Sequence, residues 1–308
     1  MIRIAGLRKA YGSQEVLHGL DLEVRPGEIF GYVGPNGAGK TTTMKILATV
    51  EPGFTGTVEI AGNDVARDPY AVRRLIGFMP EMFGMYEDLW VWEYLDFFAR
   101  VYDLPVDRRD QLIEDVLVLT DLTGKKDAGI GTLSRGVRQR LYLAKTILHD
   151  PQVLLLDEPA SGLDPRARLE LLEILRELRS RGKTIFISSH ILSELSDLCD
   201  RVGIIESGRI VASGRVSEIA DGMGQQLELV IRTLTGTEAL RAALAGAAGV
   251  RELEIGEGRA VCRFERPREE VPGFLRSLIE KGIEVFSFEV RERSLERVFM
   301  DLTKGEVT

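Results

Sequence analysis

Gly34-Pro35-Asn36-Gly37-Ala38-Gly39-Lys40-Thr41-Thr42 fits the pattern G-x-x-x-x-G-K-[ST]. Each position has a physical reason to be there. The glycines let the backbone turn sharply and bring bare N–H groups against phosphate oxygens. Lys40 offers a cation for β- and γ-phosphates, and Thr41 offers a hydroxyl to Mg²⁺. The residues after Lys40 should open a helix, whose positive end favours an anion. The context agrees. Glu28–Val33 reads as a buried strand just upstream, and Thr43–Ala48 reads as helix just downstream.

Composition sets the bounds around this loop. The chain has 308 residues, with 44% hydrophobic and 29% charged, an ordinary globular balance. That length suits one large domain and a smaller one. A net charge of −8 argues against a general nucleic-acid coat. Cys199 and Cys262 form no metal motif and read as small buried hydrophobes. The first residues hold too short an apolar run for a signal peptide. No stretch approaches the ~20 apolar residues of a membrane-spanning helix.

Upstream of the loop, Ile2–Leu7 and Val16–Val24 alternate like strands, with Tyr11 in the turn between them. Tyr11 reads as a turn aromatic or as a platform on which a base could stack. Downstream, Gly56–Ile60 and Leu75–Met79 read as strands, the second ended by Pro80-Glu81. The stretch 83–102 then concentrates Phe83, Tyr86, Trp90, Trp92, Tyr94, Phe97, Phe98 and Tyr102. Either these form a small helical core only, or they form a core plus a docking surface, because aromatics are enriched at protein contacts. Gln111–Leu122 reads as an amphipathic helix. At Leu133-Ser134-Arg135-Gly136-Val137 a Ser-x-Gly turn opens another helix, as an N-cap or as a second anion site.

Val153–Leu156 is a continuous apolar run ending in Asp157-Glu158, as expected of a doubly covered parallel strand with its ligand site at the carboxyl end. Asp157 is then placed to hold Mg²⁺, and Glu158 to activate a water against a γ-phosphate. Asp164-Pro165 reads as a helix start ended by Gly182. Thr184–Ser188 is another buried strand running toward His190, a structural or a catalytic histidine. Ile191–Cys199 reads as helix and Val202–Ile205 as a last strand. After a linker at Asp221–Gln225 the pattern restarts. Strands at Leu227–Ile231, Val250–Ile255, Ala260–Phe264 and Val285–Val290 alternate with helices at Glu238–Leu244 and Glu269–Lys281, and Leu295–Leu302 reads as a closing helix. That order, β-α-β-β-α-β, is the ferredoxin-like split motif.

Together these motifs resemble the ATP-binding cassette family. The phosphate loop, Leu133–Val137, Leu154–Glu158, Ser161-Gly-Leu-Asp164 and His190 stand in the family's order over residues 1 to about 220. The C-terminal Arg293–Thr303 resembles the tail of exporter-type subunits with a separate membrane partner. The resemblance implies an α/β phosphate-loop core with antiparallel-β and helical subdomains at residues 1–222, and an accessory α+β domain at 223–308. It implies an ATPase using ATP and Mg²⁺, on the cytoplasmic face of the cell membrane, driving a permease docked near Glu81–Tyr102. Two copies would pair head to tail, each ATP lying between one chain's phosphate loop and the other's Ser134/Gly136 turn. Tyr11 would stack on adenine. Glu158 would be the general base, His190 the γ-phosphate contact, and Thr41, Asp157 and Glu81 the groups near Mg²⁺.

Two positions depart from the family pattern. Arg135 and Val137 flank Gly136 where Leu-Ser-Gly-Gly-Gln is usual, which weakens the case for binding in trans. Glu81 replaces a usual glutamine, so the site keeps an acceptor oxygen and loses an N–H donor. It could bind Mg²⁺ more strongly or point away. A cassette ATPase of ribosomes or DNA, usually with two cassettes or a coiled-coil insertion, and a phosphate-loop kinase, which would not need the Ser134 and Asp164 turns, fit these residues less well. Intact Glu158 and His190 speak against a binding module that does not hydrolyse.

Overall fold

The computed structural model describes residues 1–191, 195, 197–215, 218, 219 and 227–292. These fall into two compact units, residues 1–214 and residues 215–292. In the first, the strands are β1 (Ile2–Tyr11), β2 (Gln14–Val24), β3 (Ile29–Val33), β4 (Phe54–Ile60), β5 (Asn63–Asp64), β6 (Ile76–Met79), β7 (Val153–Leu156), β8 (Thr184–Ser189), β9 (Arg201–Glu206) and β10 (Arg209–Arg215). The helices are α1 (Lys40–Leu47), α2 (Pro69–Leu75), α3 (Val91–Val101), α4 (Arg109–Leu119), α5 (Arg135–Ile147) and α6 (Pro165–Ser180).

Two sheets organise this unit. A central sheet runs β10-β9-β3-β8-β7-β6, and an antiparallel sheet runs β2-β1-β4-β5. Strands β3, β7 and β8 are buried along their whole length, so both faces of the central sheet must be apolar. The pairs β3–β8, β3–β9, β7–β8 and β6–β7 are all parallel. Their carboxyl ends therefore share one edge, where Met79, Leu156 and Ile187 lie side by side. Helices α3, α4 and α5 form the helical part of the unit, as the resemblance implied.

Some boundaries differ from the expectations, for local reasons. Leu75 ends helix α2, which is opened by the Asp68 side chain accepting from the Ala71 N–H at 3.1 Å and by Pro69 in its first turn. Strand β10 follows Val202–Ile205 after all. It is a half-exposed edge strand, and its mixed composition hid it. Part of the expected Ile191–Cys199 helix, the Asp221–Gln225 linker and the Leu295–Leu302 helix lie outside the described residues.

The second unit contains β11 (Leu227–Thr233), α7 (Thr237–Leu244), β12 (Val250–Gly256), β13 (Arg259–Phe264), α8 (Val271–Glu280) and β14 (Val285–Glu292). Its sheet order is β12-β13-β11-β14, with antiparallel neighbours. This is the ferredoxin-like arrangement. Leu229, Ile231, Cys262 and Phe264 face α7 and α8 through Leu240, Phe274 and Leu278 in one core.

Candidate active site

The loop between β3 and α1 is shaped by two glycines. A Cβ on Gly34 would stand 2.3 Å from the Ile205 carbonyl oxygen, so only glycine lets the loop press against the end of β9. Gly39, the residue before α1, has φ 103, and a Cβ there would meet Leu17 at 2.6 Å. Lys40 then folds back beneath the loop. The side chain is 6% exposed, and its amine donates to Gly34 O at 2.7 Å and to Pro35 O at 3.2 Å. Thr43 secures the helix start, its hydroxyl donating to Gly39 O at 3.0 Å.

The carboxylates arrive from β7. Asp157 is 1% exposed; its Oδ1 accepts from the Ser188 hydroxyl at 2.6 Å, while its Oδ2 is buried without a hydrogen-bond partner. The same Ser188 oxygen accepts the Glu158 N–H at 2.9 Å, tying the two acidic residues to the end of β8. Glu158 stands at φ 48, a left-handed conformation uncommon outside glycine. Its Oε2 meets His190 Nδ1 at 2.8 Å, and its Oε1 lies 3.4 Å from Lys40 Nζ. The second contact is an ion pair without hydrogen-bond geometry, since Oε1 has no donor.

A groove of about 380 Å³ opens above these groups, lined by Val16, Asn36, Gly37, Gly39, Lys40, Thr41, Thr42, Glu81 and Glu158. Gly34, Pro35 and Ala38 form the body of the loop beneath it. The buried Asp157 Oδ2 and the Thr41 hydroxyl are hard oxygen donors that suit Mg²⁺. Among the described residues no three His, Cys, Asp or Glu side chains gather as a metal cage, so a cation here would draw its other ligands from phosphate and water.

Three expected site residues lie elsewhere. Tyr11 closes the β1–β2 hairpin, half-exposed, with Lys9 Nζ 4.8 Å from its ring centroid; it does not line the groove. Ser134 caps α5, its hydroxyl accepting from the Val137 N–H at 3.5 Å, and Gly136 packs against Ala167; neither lines the groove. Conversely, Val16 and Ser188 were not foreseen. Val16 carries no chemical signal. Ser188, a polar residue ending a buried strand, is the kind of signal that marks the carboxyl edge of a parallel sheet.

A phosphate-binding turn after β3, with a carboxylate pair at the end of β7, one strand beyond its neighbour β8, defines a phosphate-loop nucleoside triphosphatase. The comparisons narrow the class. The family model for ABC transporters matches residues 17–161. The daunorubicin resistance ATP-binding protein of Streptomyces coeruleorubidus is 35% identical over 98% of this chain and 95% of its own length. The Nod factor export ATP-binding protein I of Ralstonia nicotianae is 34% identical over 100% of this chain and 95% of its own. A solved ATP-binding subunit of an ABC transporter superposes with a TM-score of 0.65 at 31% identity, covering 73% of this chain and 93% of that one. The chain belongs to the ATP-binding cassette transporter family, as an ATP-binding and ATP-hydrolysing subunit. It works with a membrane partner, and among the described residues no helix is long and apolar enough to cross a membrane.

Proposed function

We propose that this subunit powers export, from the cytoplasmic face of the membrane, as a head-to-tail pair that sandwiches two ATP molecules and drives a separate permease. The export reading draws on relatives named for daunorubicin resistance, linearmycin resistance and Nod factor export. The observation that carries the catalytic reading is the Glu158 carboxylate, held between Lys40 and His190 at the floor of the groove.

In this reading the loop Gly34–Thr42 cradles the phosphates and Lys40 neutralises them. Thr41 and Asp157, with Glu81 at the groove wall, would hold Mg²⁺, which would neutralise charge at the phosphate oxygens when bound. Glu158 takes the proton of the attacking water as the new O–P bond forms and the bond to the β-phosphate bridging oxygen breaks, releasing ADP and phosphate. His190 orients that carboxylate and reaches the γ-phosphate. Tyr11 stacks on adenine. Ser134 and Gly136 complete the site of a second copy, which is consistent with their standing away from the groove of their own chain.

Residues 1–222 constitute the ATPase domain and 223–308 an accessory domain. The permease docks near Glu81–Tyr102, where Tyr86, Trp90 and Phe97 are exposed at 58%, 50% and 43%.

The test is Glu158→Gln, which keeps size and an acceptor oxygen but cannot take a proton at neutral pH. With ATP and Mg²⁺ it should hydrolyse far more slowly and accumulate as a dimer by size exclusion with light scattering. Ser134→Arg, added to it, should abolish that dimer. A Glu158→Gln protein that turns over at the native rate would overturn the assignment of the base. One that stays monomeric with ATP, alone and with its permease, would overturn the sandwich.

A further inference from the structure

The turn that follows Glu158 is held from α5. Within the turn, the Ser161 N–H donates to Glu158 O at 3.0 Å and the Leu163 N–H to Ala160 O at 3.3 Å. Two side chains of α5, one helical turn apart, then grip it from outside. The buried Gln139 amide donates to Pro159 O, and the Arg135 guanidinium donates to Ser161 O at 3.0 Å. Gly162 fits this grip in two ways. Its φ is +66, and a Cβ there would stand 2.4 Å from the Arg135 guanidinium carbon. The guanidinium thus lies flat on the bare side of Gly162. Among the described residues Arg135 makes no ion pair, so its charge is spent on a backbone carbonyl.

We propose that Arg135 is a positioning residue for hydrolysis. It fixes the Ser161–Gly162 turn. Through the Ser161–Glu158 hydrogen bond it fixes the left-handed backbone of Glu158, and with it the aim of the carboxylate between Lys40 and His190. A loose turn would let Glu158 relax toward commoner backbone angles and swing its carboxylate off the attacking water. A glycine at this position would have no side chain to make the contact. The inference rests on Glu158 being the base.

Steady-state hydrolysis by the full chain, with its permease where that is needed for turnover, tests it. Arg135→Ala should lower kcat roughly tenfold while KM for ATP stays within about twofold, because the phosphate cradle is untouched. Arg135→Lys, which keeps one donor, should recover part of the loss. Gly162→Ala expels the guanidinium, so the double variant with Arg135→Ala should be no slower than Gly162→Ala alone. Amide hydrogen exchange at Ser161 should quicken in Arg135→Ala at unchanged Tm.

A kcat within about twofold of native, fully additive losses, or unaltered exchange at Ser161 would each overturn the proposal. A raised KM with native kcat would also overturn it, placing the guanidinium on nucleotide. Measured alongside, Glu158→Gln separates the two ideas. Native turnover in that variant removes the base itself, whereas slow turnover there with native turnover in Arg135→Ala removes only the positioning role.

Discussion

Lys145 is a cation that the site does not use. Its amine sits 4.8 Å from the Phe98 ring centroid and 4.6 Å from that of Tyr142, and Tyr142 in turn packs on Phe83 at 4.3 Å. The rings attract the charge, but they also displace its water. Burial pulls its pKa from 10.5 down to about 8. The unfolded chain therefore binds more protons than the folded one between those values, and stability rises with pH across that window. Below about 8 the full cost of the desolvated charge is present. Lys145→Met removes the titration. In urea unfolding, the wild type should gain stability relative to Lys145→Met from pH 8 to 10.5 and level off above. A difference between the two proteins that is flat over this range would mean that the amine keeps its water. His149, one turn on, is shifted the same way by burial and stacks on Tyr102 at 4.0 Å, so it too prefers to be neutral in the fold.

Helix α3 is amphipathic, with one stripe in the core and the other exposed. Val91, Tyr94, Leu95 and Ala99 are buried, while Trp92, Phe97 and Val101 point outward. Its start is secured by Glu93, whose carboxylate accepts the Trp90 N–H at 2.9 Å. Tyr94, 1% exposed, meets Phe98 edge-on at 4.9 Å, so Tyr94→Ser should cost about 3–5 kcal/mol in chemical unfolding. Trp90 is half-exposed, and serine is itself a good residue before a helix. Trp90→Ser should therefore change stability by no more than about 0.5 kcal/mol, yet weaken co-purification with the permease. Equal destabilisation by both changes would make the whole segment core. Arg138 joins this region to the Ser134 turn, donating to Glu87 at 2.7 Å, Gly131 O at 2.9 Å and Leu133 O at 3.1 Å. These bonds tie Glu87 to the start of α5.

At the scale of the whole chain, two core clusters of described residues each stay within one unit. One cluster runs from Ile2 to Ile205 and the other from Leu227 to Ile283. Neither core loses a member if the chain is cut between them, so a fragment of residues 1–222 should fold and bind ATP with native affinity. Titration with a fluorescent ATP analogue checks this. Aggregation of the fragment, or an affinity reduced more than about tenfold, would show that the accessory residues complete the ATPase domain.

The sequence by itself determined the phosphate loop, the order of the motifs and the ferredoxin-like plan of the second unit. These rest on local physics. Gly34 and Gly39 announce backbone that no Cβ allows, the unbroken run Val153–Leu156 announces a strand covered on both faces, and alternation spaces the later strands. Tertiary structure alone decided which side chains meet. Ser188 bridges Asp157 and Glu158 because β7 and β8 pair in parallel with Leu156 beside Ile187. Tyr94 is buried and Phe97 exposed because α3 turns one stripe inward, a choice that a segment crowded with aromatics does not reveal. Arg135 reaches Ser161 because α5 passes beside the turn after β7. Contacts between residues dozens apart depend on sheet register and helix placement, which no short-range pattern encodes.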